Sequence, residues 1–303
     1  MNHAFLIIAH NNPDYLFRLV NMLDAPNHYV FIHIDKKQEM LLKHPAIKKL
    51  NEKNNYCVFS SISVNWGGLS QVEATLCLIK KARNLGCIDF YHLISGCDVP
   101  LLNSTLFDKV VNSGKKGFMG LVNLDLSTRE EISRRYRIFH FNDLVDRQSH
   151  GIKNFVCRGF VKMEMLLANH HFYFRNELLM PVYKGSQWWS LSNEVIEYIT
   201  NYLLENPQYM KRFRWTSCID EVFFHTIVLN SPYAERVETQ SHRYVDWIAK
   251  NKKGKSPKIL DAGDISLVEH SGCWFARKTD PVKSKDFIEY FENKAKCVSN
   301  VEN

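Results

Sequence analysis

Two adjacent carboxylates, Asp220 and Glu221, open the apolar run Val222-Phe223-Phe224-His225-Thr226-Ile227, and a basic pair, Arg277-Lys278, follows Phe275-Ala276 farther along. A positioned carboxylate can take the proton of an attacking hydroxyl. Ammonium and guanidinium groups can neutralise a departing anion. One base with one anion clamp suits transfer from a diphosphate-activated donor. The spacing of the apolar run predicts a helix beginning at the carboxylates, where one of the two, Asp220, can cap free backbone N–H groups and the other is left for chemistry.

The elements that would position these groups alternate. Phe5–Ala9 reads as a buried strand, 13–23 as a helix, Tyr29–Ile34 as a second strand, and Cys57-Val58-Phe59 with Ile62-Ser63-Val64 as a third. Val72, Leu76, Ile79 and Ala82 repeat at helical spacing within 71–84, and Phe90–Ile94 is a further strand. This order predicts an α/β fold with a mainly parallel twisted sheet flanked by helices. Ligands in such sheets sit at the carboxyl ends of the strands. There the sequence places His10-Asn11-Asn12, His33 with Asp35-Lys36, Trp66-Gly67-Gly68, and Ser95-Gly96-Cys97-Asp98. From 123 to 175 the pattern changes to a basic and aromatic stretch, which reads as a surface excursion or as a flap facing acceptor or membrane. Lys250–Lys255 reads as a charged loop.

The 303 residues, 45% hydrophobic and 23% charged, suffice for a large core. A net charge of +7 fits an acidic ligand or an anionic membrane surface, but the basic residues form no dense stripe and no nucleic-acid motif, so a nucleic-acid partner is not expected. The eight cysteines include no C-x-x-C pair, which argues against zinc knuckles and thioredoxin-type chemistry and for reduced, buried thiols. No apolar stretch approaches the roughly 18 to 20 residues that cross a bilayer, and the expectation is a soluble, cytoplasmic protein.

Five stretches in order, His33-Ile34-Asp35-Lys36-Lys37, Ser95-Gly96-Cys97-Asp98-Val99-Pro100, Gly185-Ser186-Gln187-Trp188-Trp189, Asp220–Thr226 and Phe275–Lys278, resemble the core-2/I-branching N-acetylglucosaminyltransferases and peptide O-xylosyltransferases of glycosyltransferase family 14. The resemblance spans about residues 4–280. It implies a GT-A-like single domain over 1–303, with a nucleotide-binding half (1–122), an inserted acceptor flap (123–175) and a catalytic and diphosphate-binding half (176–303). It further implies an inverting transferase that moves a sugar, N-acetylglucosamine first and xylose, galactose or glucose as alternatives, from a UDP-sugar to a glycan hydroxyl without a metal or other cofactor. The chain contains no Asp-x-Asp.

By the same resemblance Glu221 is the base, Asp35 contacts uracil or ribose, and Lys278 with Lys255, or Arg243 in reserve, clamps the diphosphate. His10 and His33 shape the nucleotide pocket, where Trp66 suits either stacking or a core role. Asp98, Ser186, Trp188 and Trp189 form the sugar cleft. Adjacent tryptophans on a strand point to opposite faces, so one of that pair is core. Trp247 is an acceptor-side candidate. Thr128 and Glu131 stand where core-2 enzymes carry the charged acceptor grip, which predicts a different acceptor. Without an anchor or a luminal disulfide pattern, the chain reads as a bacterial-type enzyme of surface-glycan synthesis. A lipid-diphosphate-linked acceptor would bring it to the inner face of the cell membrane. The competing classes are a non-catalytic nucleotide-sugar or glycan binder and a scaffold.

Overall fold

The computed structural model describes residues 1–111, 114–123, 125–144, 151–247 and 256–299. The first half contains β1 (His3–Ala9), α1 (Pro13–Met22), β2 (His28–Ile34), α2 (Pro45–Asn51), β3 (Tyr56–Phe59), α3 (Ser70–Arg83), β4 (Phe90–Ser95), β5 (Val99–Pro100) and α4 (Ser104–Val111). Next come β6 (Gly117–Leu121), α5 (Leu126–Arg137), α6 (Ile152–Asn169), β7 (Gly185–Ser192), α7 (Asn193–Glu205), α8 (Pro207–Arg212) and α9 (Phe223–Leu229). The chain closes with β8 (Val237–Glu238), β9 (Arg243–Val245), α10 (Ile265–Glu269), β10 (Phe275–Arg277) and α11 (Lys285–Ser299).

Seven strands form one sheet in the order β3-β2-β1-β4-β7-β6-β8. The first four are parallel, β7 is antiparallel to both β4 and β6, and β8 runs parallel to β6. The mainly parallel α/β sheet read from the sequence is the one that forms. The interior strand β1 is apolar from Ala4 to Ala9 because both faces are covered. Phe5 and Ile7 pack on one face with Leu16, Leu19 and Val20 of α1 and Ile47 of α2, while Ala4 and Leu6 face the core built with α3, α7 and α9. Each such aliphatic or aromatic side chain, fully buried, stabilises by roughly 1.5–3 kcal/mol.

A second sheet, β5-β10-β9, stands beside the carboxyl end of β4 and carries the basic end-piece. Phe287, Ile288 and Phe291 of α11 seal it against Tyr15 and Met22.

Three expectations need correction. The third strand stops at Phe59, because the next amides are drawn away from the ladder. Ser61 and Ile62 N–H donate to His33 Nε2 at 3.4 and 3.1 Å, and Val64 N–H donates to Asp35 Oδ1 at 3.1 Å. The helix foreseen from Asp220 is a 3-10 turn (Ile219–Glu221) broken from α9 at Val222, and neither start has a side-chain cap. Of the described thiols only Cys97 is buried, and Cys87 is exposed.

Candidate active site

The donor side assembles where the parallel strands end. Asp35 N–H donates to Ala9 O and Gly96 N–H to Ile8 O, which draws the ends of β1, β2 and β4 together. His10 stands just beyond β1. Its pKa is lowered, first by desolvation and then by Lys278 and Lys37, with Asp35 acting the other way, so these four side chains share one electrostatic neighbourhood. Asp35 is nearly buried. Its Oδ1 accepts from Lys37 N–H and Val64 N–H at 3.0 and 3.1 Å, and Lys37 Nζ lies 3.5 Å from Oδ2. His33 is fully buried and its Nε2 is occupied by the two loop amides, so its visible work is to shape the loop. Lys278, half-buried, makes no side-chain hydrogen bond or ion pair with any described residue.

Behind this lies a buried polar stack. Asp98 is fully enclosed, and Ser95 N–H donates to its Oδ2 at 2.9 Å. Arg277 Nη1 donates to Oδ1 at 2.8 Å, and the guanidinium lies over the Trp188 ring at 4.6 Å. Burial raises the Asp98 pKa, with Arg277 opposing. Asp98 is enclosed with each oxygen accepting from a protein group, and Trp188 gives a ring face to Arg277. Trp189 is the core member of the pair, packed on Phe224 at 5.5 Å. Ser186 is half-buried and its Oγ accepts from Trp188 N–H at 3.2 Å.

Arg243, the reserve for the clamp, is buried. Its Nη1 donates to Ser190 Oγ (3.0 Å) and Ser241 O (2.5 Å), and its Nη2 to Leu93 O (3.3 Å) and Trp189 O (2.8 Å). Desolvation lowers its pKa to about 9. The guanidinium ties the two sheets together and has no surface to offer a phosphate. Lys255 and the Lys250–Lys255 loop lie outside the described residues. Trp247 is 50% exposed at the edge of the described chain.

The catalytic candidate sits across one short loop from the donor side. Val64 and Asn65 are held by Asp35 and Lys37, and Gly67 O accepts from Cys218 N–H at 2.9 Å. Residues 64–67 therefore join the Asp35 corner to the turn that carries Glu221. Cys218 adopts φ +50°, a left-handed conformation that costs a non-glycine residue roughly 1–2 kcal/mol. The bonds from Cys218 N–H to Gly67 O and Ser217 N–H to Arg135 O hold it there. Gly68 must be glycine, because an added Cβ would fall 2.0 Å from Asp143 Oδ1, which accepts from Ser70 Oγ while Oδ2 accepts from Leu69 N–H.

Glu221 keeps 35% of its side chain exposed. Its Oε2 accepts from Arg135 Nη1 at 2.7 Å, with Lys184 Nζ 3.8 Å away, and Oε1 has no hydrogen-bond partner among the described residues. Glu131 completes the group, pairing with Arg135 at 2.5 Å and Lys184 at 3.6 Å. The neighbouring Asp220 is its opposite. It is buried, its Oδ1 is unpartnered, and burial, then the Glu221 charge, lifts its pKa to about 7. One carboxylate is exposed and held by cations and the other is enclosed, an arrangement that divides their roles.

Trp66, open in the sequence between stacking and core, is 59% exposed at the bridging loop and is no core residue. Sequence reasoning passed over Arg135 and Lys184 as site residues and read Arg277 with the anion clamp, not as the partner of Asp98. Arg135 and Arg277 stand inside stretches already singled out and Lys184 directly precedes another, but only tertiary contact shows which carboxylate each one meets. The stretch 123–175 supplies Arg135 through α5 and locks the Gly67–Gly68 loop through Asn142 and Asp143, so it is built into the site.

The core-2/I-branching enzyme family model matches residues 3–269. Xylosyltransferase 1 of Homo sapiens is 23% identical over 311 residues, which cover 94% of this chain and 29% of that one. The rat protein of the same name is 24% identical, covering 94% and 34%. Xylosyltransferase sqv-6 of Caenorhabditis briggsae is 23% identical, covering 94% and 35%. The chain thus spans about a third of the length of these curated relatives. A crystal structure of mouse xyloside xylosyltransferase 1 in apo form aligns at TM-score 0.37 and 11% identity over 77% of this chain and 83% of the other, too distant a likeness to carry an argument.

Proposed function

Because the chain belongs to the core-2/I-branching enzyme family, we propose that it is a glycosyltransferase that moves a sugar from a UDP-sugar to a glycan hydroxyl, with Glu221 as the base. In this reading the acceptor oxygen attacks the anomeric carbon as the bond to the diphosphate breaks. The hydroxyl proton passes to Glu221 and UDP leaves, so the anomeric configuration inverts. The observation that carries the proposal is Glu221 itself. One oxygen is fixed by Arg135 and the other is unoccupied among the described residues, on a turn joined by one loop to the Asp35–His10–Lys278 corner.

Lys278 supports a metal-free clamp, since its ammonium is not neutralised by any described carboxylate. Arg277, bound to Asp98, supports its position rather than the phosphate. Asp35 can keep its loop bonds and still present Oδ2 to a ribose or base. N-acetylglucosamine and xylose, the latter the sugar in the relatives' names, are the first donors to try, with a lipid-linked glycan among the acceptors.

A thermal-shift panel of UDP-sugars with EDTA present tests the reading. Stabilisation by UDP and by one or two UDP-sugars, unchanged by EDTA, is expected. No response to any UDP compound would overturn it, and a response abolished by EDTA would overturn its metal-free part.

A further inference from the structure

Helix α6 is turned inside out for a helix at the surface of a water-soluble protein. Its buried stripe holds Asn154, Glu164 and Ala168, two polar residues and one small one. Glu164 is only 3% exposed and its Oε2 accepts from Phe139 N–H at 2.7 Å, while Asn169 Oδ1 accepts from Arg134 Nη1 at 3.1 Å. These bonds, with Phe160 packed on Phe139 and Phe141, anchor the helix to the body of the protein.

The apolar side faces out. Ile152, Phe155, Val156, Met163 and Leu166 follow the i, i+3, i+4, i+11, i+14 spacing of one helix face. Ile152 is 85%, Phe155 80% and Leu166 67% exposed. Past the end of the helix, Phe172, Phe174 and Leu179 extend the exposed apolar surface. Among the described residues nothing covers this stripe, and a contiguous exposed apolar patch marks a docking surface.

Charge selects the occupant. Lys153 and Lys162 are exposed along the flanks of the stripe, and the only acid of the helix, Glu164, is buried on the inner side. Two copies meeting face to face would oppose these cations to each other. An anionic bilayer neutralises them while its acyl region takes the apolar side chains. Eighteen residues at 1.5 Å each give a helix of about 27 Å, which can lie flat in the interface. No helix among the described residues is long and apolar enough to cross a membrane.

We propose that α6 is a membrane-surface helix that seats the protein on anionic lipid, apolar stripe toward the acyl chains and Lys153 and Lys162 among the headgroups. This does not rest on the reaction assigned above, because vesicle binding needs no turnover.

Flotation with phosphatidylcholine–phosphatidylglycerol vesicles, against phosphatidylcholine alone, tests it. The full chain is expected to float with the anionic vesicles only, and less at high salt. Phe155→Ser with Leu166→Ser should weaken partition by more than about tenfold. Lys153→Gln with Lys162→Gln should weaken it roughly 30-fold. Both double variants alter exposed side chains only, and unchanged circular dichroism and melting temperature would show that they fold. No flotation with anionic vesicles, or flotation indifferent to both variants, overturns the proposal. So does light scattering that shows a dimer dispersed by the serine variant, which would give this face to a second copy.

Discussion

Replacing Asp220 by asparagine should make the protein more stable at neutral pH and less markedly so in mild acid. The folded pKa is about 7 against an ordinary 3.8, a gap of about 3 units. At about 1.36 kcal/mol per unit, burying the ionised form costs roughly 4 kcal/mol. For the sign, the unfolded chain releases this proton near 3.8 and the folded chain holds it until about 7. Between those values the folded state carries more protons, so stability falls as pH rises, and the penalty is complete only above about 7. A carboxamide at this position cannot ionise, and the Asp220→Asn variant escapes the penalty. Urea unfolding of both proteins at several pH values from about 5 to 8 measures the difference, and titrations common to the two cancel. The expected result is an advantage for the variant of about 1.7 kcal/mol at about pH 5 that grows to about 4 kcal/mol at about pH 8. A difference that does not vary with pH would refute the claim that Asp220 is buried as an unpaired acid.

Glu221→Gln should leave the UDP thermal shift intact while transfer falls by about 10²–10⁴-fold; wild-type turnover would remove Glu221 from the mechanism. Lys278→Gln should weaken UDP binding measured by calorimetry by about tenfold, more at low salt than at high, and an unchanged dissociation constant would place the clamp elsewhere. Burial lowers the pKa values of His28 and His225 to about 4. Unfolded histidine gains its proton near 6.5 and these do so only near 4, so each contributes stability that is present above about 6.5 and lost as pH falls to about 4, about 3 kcal/mol apiece. Urea midpoints should drop across that window, and a flat profile would contradict it. Gly185→Ala places a Cβ 1.8 Å from Gly120 O and 2.2 Å from His225 Nε2, with backbone on one side. A loss of about 3 kcal/mol or more is expected by denaturation, and wild-type stability would mean that β6 can yield.

Much of the scaffold was legible because it rests on local pattern. Phe5 to Ala9 is apolar throughout and Phe90 to Ile94 apolar but for His92, which suits strands covered on both faces, and Val72 to Ala82 repeat at helical period. The sheet of β3, β2, β1 and β4 follows from those runs and their intervening helices. Local pattern misled at Ile62-Ser63-Val64, where a strand-like run was captured by side chains of β2, and at Asp220, where a helix start was expected and a 3-10 turn formed. Nor did it show how Arg243 and Asp98 would be placed. Both are charged residues beside the expected cleft, yet both face inward, because Arg243 finds four oxygen acceptors and Asp98 finds Arg277.

By itself the sequence determined which groups were available: an alternating α/β scaffold, adjacent carboxylates, and cations downstream. Residue type and short-range spacing specify these, and neither depends on the rest of the chain. Which carboxylate stays exposed, which cation remains unpaired and which way α6 turns its apolar side were decided only by the tertiary structure. Desolvation and ion pairing depend on neighbours distant in sequence, such as Arg135 for Glu221 and Asp98 for Arg277. Glu164 can face inward on α6 because Phe139 N–H waits there to receive it.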